Sequence, residues 1–208
     1  MDTRTSQLLP NTVFHIYNRG INGAPIFFEK RNYYYFLQQY AKYVDPFVET
    51  YAYCLMNNHF HLMIRVKPEE HLESVIKTGT EKPNYWHISN GISSFLQSYT
   101  RAINKVYDRT GPLFDPKFKR IAVEEESYFS QLIAYIHTNP TKHGFVKDFK
   151  DFAYSSYHTH LSSKKTKLQR EQVIDWFGSP EAYIRFHTDQ NFETLEDHFH
   201  LELSGYFE

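Results

Sequence analysis

Two histidines one residue apart, His59 and His61, interrupt an apolar stretch and are the first candidates for chemistry in this sequence. The stretch YCLMNNHFHLMIRV has the composition of buried β-strands, in which alternate side chains point to the same face. The two imidazoles would then stand side by side, opposite an apolar face of Phe60, Leu62 and Ile64. Neutral imidazoles bind metals and also form hydrogen bonds. The pair therefore predicts either a metal site or two hydrogen-bonded rings on a rigid strand.

A phenol and an amide, Tyr135 and Asn139, form the second candidate set. They lie in EEESYFSQLIAYIHTNP, whose apolar spacing predicts a helix that ends at Pro140. Residues four apart share one helical face, so these two side chains are expected beside the buried stripe. Asn139 precedes a proline, which disfavours helical geometry, and we expect it at the helix end with its side chain reaching outwards. Tyr128, about two turns earlier, is the alternative phenol.

A basic run forms the third candidate set, on one predicted helix and the segment that follows it. It comprises Arg101, Lys105, Arg109, Lys117, Lys119 and Arg120. Such residues bind nucleic-acid phosphates, although a solvated surface explains them equally well. The net charge of −1 conceals an asymmetry, because residues 1–168 hold 21 Lys and Arg against 15 Asp and Glu, whereas residues 169–208 hold 2 against 9. We expect the acidic tail to fold over the basic body and compete with a bound nucleic acid.

The composition excludes several classes of protein. The single cysteine, Cys54, rules out an internal disulfide framework and Cys-rich zinc sites, and we expect it in the core. No stretch approaches the roughly 18 apolar residues of a membrane span, and the N-terminus lacks a signal peptide. The abundant Tyr and Phe residues, interleaved with basic ones, suit single-stranded nucleic acid, although an aromatic core explains them too. We therefore expect a cytoplasmic protein without a membrane partner.

The elements that position these residues follow the order β-α-β-β-α-β-α. Strands are predicted at TVFHIYNRG, FVETYAYCLM, HFHLMIRV and KRIAV, and long helices at EKRNYYYFLQQYAKYV, ISNGISSFLQSYTRAINKVYDRTG and EEESYFSQLIAYIHTNP. Residues 67–86 are expected to be irregular with one short helix. This order predicts an α+β, ferredoxin-like split βαβ fold: an antiparallel sheet with helices on one face and the other face free for a ligand.

Four segments together resemble the single-tyrosine HUH transposases, and in particular the REP-associated tyrosine transposases of bacteria. They are AYCLMNNHFHLMIRV, GPLFDPKFKRIAVEEESYF, AYIHTNPTKHGFV and YSSYH, and the resemblance spans residues 12 to 158. It implies that His59 and His61 bind a divalent cation, Mg²⁺ or Mn²⁺, that Tyr135 is the nucleophile and that Asn139 completes the metal site. It also implies a catalytic domain at 1–160, followed by an acidic, helical extension at 161–208.

The function implied by this resemblance is a metal-dependent DNA endonuclease and transposase. It would nick and rejoin single-stranded DNA beside hairpins or palindromic repeats, through a 5′-phosphotyrosine intermediate. Relatives act as monomers or as homodimers, and the C-terminal extension favours a monomer. A phenol with a pKa of about 10 is a poor nucleophile at neutral pH, so a cation that polarises the phosphate fits this chemistry.

Two other functions are compatible with the same residues. A domesticated hairpin-binding protein would keep the fold and the basic surface but would not cut. A phosphodiesterase that uses water would form no covalent adduct, and the scarcity of carboxylates near the His pair argues against it. We expect the remaining histidines of the last core helix region, His137 and His143, at the surface.

Overall fold

A four-stranded antiparallel sheet forms the centre of the computed structural model, which describes residues 6–76, 81–125 and 127–189. The strands are β1 (Val13–Arg19), β2 (Val48–Met56), β3 (His59–Val66) and β4 (Lys119–Val123). They lie in the order β2-β3-β1-β4, with each neighbouring pair antiparallel. The predicted ferredoxin-like sheet is confirmed, and so is the hairpin that places the two histidines at the start of β3.

Seven α-helices surround this sheet in the described part of the chain. They are α1 (Lys30–Tyr43), α2 (Glu69–Val75), α3 (Asn84–Val106), α4 (Ser127–Lys142), α5 (Tyr157–His160), α6 (Arg170–Phe177) and α7 (Pro180–Asp189). Among the described residues, no helix combines the length and apolar character needed to cross a membrane. The three long helices predicted from apolar spacing are α1, α3 and α4, and α2 is the short helix expected in residues 67–86.

One face of the sheet packs against α1 and α3, as predicted. The apolar side chains of this first core include Phe14, Ile16, Phe36, Phe60, Leu62, Phe95 and Tyr99. The two helices approach closely at Gly91, where an added Cβ would lie 2.8 Å from the backbone oxygen of Tyr43. Val106, the last residue of α3, is exposed.

The opposite face of the sheet is covered, so the expectation that it is free for a ligand is wrong. Helix α4 packs on this face together with α6 and α7, and they form a second core with alternate residues of the strands. Its buried side chains include Tyr51, Cys54, Met63, Ile121, Leu132, Ile133, Ile136, Val173 and Tyr183. The apolar stripe of α4 matches the apolar residues on this side of the sheet, and their mutual burial explains why the face is closed.

Helix α4 does not end at Pro140 but continues for two further residues, contrary to the prediction. A proline removes its own N–H donor and its ring crowds the carbonyl four residues earlier, and here the proline lies in the last turn of the helix. The backbone N–H of Phe145 donates to the Pro140 carbonyl at 2.8 Å, and that of Gly144 donates to Thr141 at 3.0 Å. Gly144 has a φ of 70°, and this pattern is a Schellman cap. The cap therefore completes the turn that contains the proline.

The chain after residue 160 is folded at least as far as Asp189. Helices α6 and α7 bury Val173, Tyr183 and His187 against α4 and the sheet. Residues 190–208 lie outside the described residues, and the predicted competition between the acidic tail and DNA falls mainly on them. Cys54, on β2, is fully buried as expected, and its burial raises the pKa of its thiol.

Candidate functional site

His61 and His15 form a direct hydrogen bond across two paired strands. Strand β1 runs antiparallel to β3, with Tyr17 opposite His61 and His15 opposite Met63. His15 Nε2 lies 2.8 Å from His61 Nδ1, and the two rings are stacked with their centroids 5.1 Å apart. Both residues are buried. The bond engages one nitrogen of His61 and leaves Nε2 as its second functional atom.

His59 lies at the start of β3, where the preceding turn holds its ring. Its Nδ1 is 2.7 Å from Oδ1 of Asn58, and its ring centroid is 5.3 Å from that of His61. His143, just beyond α4, lies edge-on to it with centroids 5.0 Å apart. His59 and His61 are only 5% and 1% exposed, so the expectation that this face is open to solvent is wrong. The cover is α4 and the residues that follow it.

Three histidines of this site, His15, His59 and His61, are held in their neutral forms. Burial lowers the pKa of His59 to about 3, and His143 and Arg19 act in the same direction. Burial also lowers the pKa of His15 to about 3 and that of His61 well below its usual value. A neutral imidazole has a lone pair on one ring nitrogen. The pair can therefore bind a cation without first losing a proton.

Tyr135, on α4, lies against these histidines. Its ring centroid is 5.8 Å from that of His61 and 6.0 Å from that of His15, in edge-on contacts. The side chain is only 3% exposed, and the Lys142 ammonium lies over its ring, 5.3 Å from the centroid. Tyr128, the alternative phenol, lies about two turns earlier and packs, partly buried, against the second core. The structure therefore brings together His59, His61 and Tyr135.

Asn139 is fully buried rather than directed outwards, because α4 continues past it. Its Nδ2 donates to the Tyr135 carbonyl at 2.8 Å, and its Oδ1 lies 3.1 Å from His143 Nε2. His143 thus connects Asn139 with His59. We had expected His143 at the surface; it is half-buried and belongs to this site. Its position four residues after Asn139 was the available signal, since such residues lie on one helical face.

The donor atoms of this site suit a divalent cation, although the cation itself stays a prediction. Within residues 6–76, 81–125 and 127–189, no group of three or more His, Cys, Asp and Glu side chains is arranged to hold a metal. The candidate ligands are those that the family resemblance implies, namely the two imidazoles of His59 and His61 and the amide oxygen of Asn139. His61 Nε2 is buried and has no hydrogen-bond partner among the described residues. A buried polar atom in this condition is costly unless a ligand or water completes it.

The predicted basic residues are spread over α3, the following loop and β4. Arg101 and Lys105 are exposed on α3, Lys117 is exposed in the loop, and Lys119 is half-buried at the start of β4. Arg109 donates to Oδ1 of Asn104 at 3.0 Å. Arg120 donates to the Ser6 carbonyl and lies over the Phe118 ring, and burial lowers the pKa of its guanidinium. Arg101, Lys105 and Lys117 are therefore the members best placed to reach a phosphate.

A second group of buried histidines lies on the other side of α4. His137 was expected at the surface but is fully buried, because it faces α7. Its Nδ1 is 2.9 Å from His187 Nε2, and its Nε2 is 2.6 Å from Ser156 Oγ. His160 lies beside it, with ring centroids 5.8 Å apart. Burial lowers the pKa of all three, so this group is a neutral polar contact within the second core.

The sequence is similar to two curated proteins, and no family model matches it. A Haemophilus influenzae protein assigned to the REP-associated tyrosine transposases is 29% identical over 143 residues, which are 67% of this chain and 72% of the relative. The REP-associated tyrosine transposase of Escherichia coli K12 is 27% identical over 125 residues, 57% of this chain and 70% of the relative.

A solved structure has a similar fold. It is a REP-associated tyrosine transposase bound to a REP hairpin, and it matches with a TM-score of 0.58 and 17% sequence identity. The match covers 76% of this chain and 84% of that one. At this identity the match shows a shared fold.

Proposed function

Because this chain is similar in sequence and in fold to REP-associated tyrosine transposases, we propose that it nicks and rejoins single-stranded DNA beside hairpins. The similarity confirms the family resemblance predicted from the sequence motifs. The observation that carries the proposal is the packing of the Tyr135 ring against the neutral His61, whose other ring neighbour on the same strand is His59. A nucleophile beside two potential cation ligands is the arrangement that phosphoryl transfer to tyrosine needs.

In the proposed reaction, the oxygen of Tyr135 attacks the phosphorus of one DNA phosphodiester. A bond forms between the phenol oxygen and phosphorus, and the bond from phosphorus to the 3′ oxygen breaks. The phenol loses its proton and the leaving 3′ oxygen gains one, which yields a 5′-phosphotyrosine and a free 3′-OH. Attack by a 3′-OH on the phosphotyrosine reverses the step. The ester retains the energy of the original bond, so rejoining needs no nucleotide cofactor.

His59, His61 and Asn139 would hold the divalent cation, either Mg²⁺ or Mn²⁺. When bound, such an ion neutralises charge on the phosphate oxygens and favours the phenolate. Imidazole ligands suit Mn²⁺ better than Mg²⁺, which prefers oxygen. Lys142, whose ammonium lies over the Tyr135 ring, would pair with the phosphate once it reaches the phenol.

Two hydrogen bonds would prepare the imidazoles for this role. Asn58 Oδ1 can only accept, so the proton of His59 lies on Nδ1 and the lone pair on Nε2. His15 Nε2 and His61 Nδ1 share one proton. Placing that proton on His61 makes His61 Nε2 the ligand atom and His15 the acceptor. Such partners of ligand histidines fix the tautomer and the ring orientation.

The test is covalent capture of DNA by the full-length protein. Single-stranded hairpin DNA labelled at its 3′ end, the part that a 5′-phosphotyrosine retains, is incubated with the protein and Mn²⁺, and the products are separated on a denaturing gel. We expect label that migrates with the protein. Cleaved DNA without such an adduct would favour hydrolysis by water, and no cleavage with several hairpins would favour a protein that only binds them.

A second candidate function is hairpin binding without cleavage. The observation that favours it is the burial of Tyr135, which is 3% exposed and cannot meet DNA without movement of the side chains over it. Such a protein would need the basic surface of α3 and the following loop, but neither the phenol nor a cation. The capture experiment separates the two functions.

A further inference from the structure

A pocket of about 450 Å³ opens between α3 and the loop 111–118, on the sheet face opposite the histidine site. Its lining combines buried apolar side chains with polar side chains from successive turns of α3. The apolar members include Leu96, Leu113, Phe114 and Phe118, and the polar ones include Ser93, Gln97 and Arg101. An apolar pocket with a few polar groups is typical of a site for a small molecule or one of its ring systems.

The pocket is held in shape by side chains that use their polar atoms within the protein. Asn18 Nδ2 donates to the Asp115 carbonyl at 3.2 Å, and Asn18 Oδ1 accepts from the Arg19 N–H at 2.9 Å. Asn104 Nδ2 donates to the Gly111 carbonyl at 2.8 Å. These contacts fix the loop to β1 and to α3. The pocket is therefore preorganised, which lowers the entropic cost of binding.

The polar side chains at the rim of the pocket, in contrast, do not form hydrogen bonds that hold the loop. Ser93, Gln97 and Arg101 are spaced four residues apart and so form one line along α3. Within residues 6–76, 81–125 and 127–189, their side chains make no hydrogen bond. They offer a hydroxyl, an amide and a guanidinium, groups that recognise base edges and phosphates.

The charge of the pocket fits an anionic ligand. Asp115 is the single carboxylate among its lining residues, and its Oδ2 accepts from Arg19 Nε at 2.9 Å. This pairing neutralises Asp115 and leaves the positive charge of Arg101 at the rim. A ligand with a flat apolar body and a negative group, such as a nucleotide, matches both features.

The pocket and the histidine site lie at the same end of β1 and β3. Arg19, which pairs with Asp115, is directly opposite His59 in the register of β1 and β3. The two sites thus occupy opposite faces at the same end of these strands. A DNA strand that crosses this end could place one nucleotide in the pocket and a neighbouring phosphate beside Tyr135.

We propose that this pocket binds one unpaired nucleotide of the DNA strand next to the cleaved bond. The base lies against Leu96, Phe114 and Phe118, Gln97 contacts its edge, and Arg101 pairs with its phosphate. Base stacking and amide contacts of this kind supply both affinity and sequence preference. This inference rests on the proposed function and assigns sequence readout to α3.

The experiment measures hairpin affinity in a Tyr135→Phe background, which prevents covalent capture. Two DNAs are compared: a hairpin with a single-stranded flank and the same hairpin with a blunt end. Gln97→Ala should weaken binding of the flanked hairpin by about tenfold and leave the blunt one unchanged. Ser93→Phe, which narrows the pocket without changing charge, should do the same. Gln38→Ala, at an exposed position on α1, is the matched control.

An abasic scan of the flank gives the sharpest readout. When the base that occupies the pocket is removed, the protein with the native Ser93 and Gln97 should bind the flanked hairpin about tenfold more weakly. With that abasic DNA, Gln97→Ala should cause no further loss of affinity, as expected for two groups that contact each other. Strict additivity at every flank position would overturn the pocket assignment while leaving the proposed function in place. Failure to bind either DNA would overturn the proposed function and this inference with it.

Discussion

Tyr135 would carry the chemistry through a single atom, its phenol oxygen. We predict that Tyr135→Phe abolishes the covalent adduct and changes hairpin affinity little, because the ring and its contacts with His61 and His15 remain. Tyr128→Phe is the control, and it should retain the adduct. The measurement is the denaturing gel together with a binding titration. An adduct that survives in Tyr135→Phe and disappears in Tyr128→Phe would move the nucleophile to the earlier turn.

His15 is predicted to act through His61 rather than on DNA. His15→Phe keeps a ring but removes the bond to His61 Nδ1, and we expect Mn²⁺ affinity to fall about tenfold or more. His15→Gln should restore part of this affinity, because its amide oxygen can accept the same proton. Calorimetry measures the affinity, and ¹⁵N NMR of the metal-free protein reports the tautomer of His61.

The NMR measurement can also contradict the proposed role of His15 in setting the tautomer of His61. We expect the His61 proton on Nδ1 in the wild-type protein and a mixture of tautomers in His15→Phe. If the proton of His61 lies on Nε2 in the wild-type protein, the shared proton belongs to His15. His61 Nε2 then has no lone pair and cannot be a ligand atom. Equal Mn²⁺ affinity in all three proteins would show that the bond has only a structural role.

At the scale of residues, the sequence predicted the pair His59 and His61 and the helical partner Tyr135, because each lies within one element of known period. It did not predict His15 as a partner of His61. That contact depends on the register between β1 and β3, which is a long-range property. Burial was also missed, since the accessibility of a strand face depends on which helix covers it.

Among the elements, α1 and α3 approach each other closely at Gly91. We predict that Gly91→Ala lowers the free energy of unfolding by about 1 to 3 kcal/mol, because the added Cβ would lie 2.8 Å from the Tyr43 carbonyl oxygen and 3.0 Å from the Phe47 ring. Urea denaturation measures the change. Ser94→Ala, on the same helix, is the control and should lie within about 0.5 kcal/mol of the wild type. A neutral Gly91→Ala would show that the two helices can separate at little cost.

The element order and types were predictable from local pattern, and the bounds of β4 agree with the predicted KRIAV. The end of α4 was not predictable from local pattern, because a proline in the last turn is tolerated when a following glycine caps the helix. The packing of α6 and α7 was also missed. Their apolar stripes are short and become meaningful only against the apolar residues of α4 and the sheet.

For the whole molecule, the folding of α6 and α7 onto α4 decides where the acidic tail can be cut. Truncation after Ser163 would remove Val173, Tyr183 and His187 from the second core, so we expect it to destabilise the fold. Truncation after Asp189 removes only residues 190–208, which hold five Asp and Glu and no Lys or Arg. We predict that this shorter truncation tightens hairpin binding at low salt and that the gain disappears at high salt. Unchanged affinity at low salt would exclude competition by this segment.

The second core should also make stability depend on pH. Burial lowers the pKa of His160 and of His187 to about 4, below the value of about 6.5 in an unfolded chain. The unfolded chain therefore binds more protons between these values, and stability is complete above pH 6.5 and falls as pH drops towards 4. We predict a loss of about 2 kcal/mol per histidine by about pH 4.5.

Urea denaturation at pH 7 and at pH 4.5 measures this dependence. His160→Leu removes one of the titrating groups and should flatten the pH profile, whereas His71→Gln, at an exposed position, should leave it unchanged. A wild-type protein equally stable at both pH values would show that these histidines are protonated in the folded state.

The burial of the sole cysteine has a practical consequence for spectroscopy. Cys54 is inaccessible on β2, and its thiol pKa is raised, so a thiol-reactive dye would spare it in the folded protein. A cysteine introduced at an exposed position, such as Gln38 on α1 or Arg185 on α7, would then be the single labelled site. Fluorescence transfer from that dye to one on the DNA could follow how a hairpin approaches Tyr135 without any change to the native cysteine.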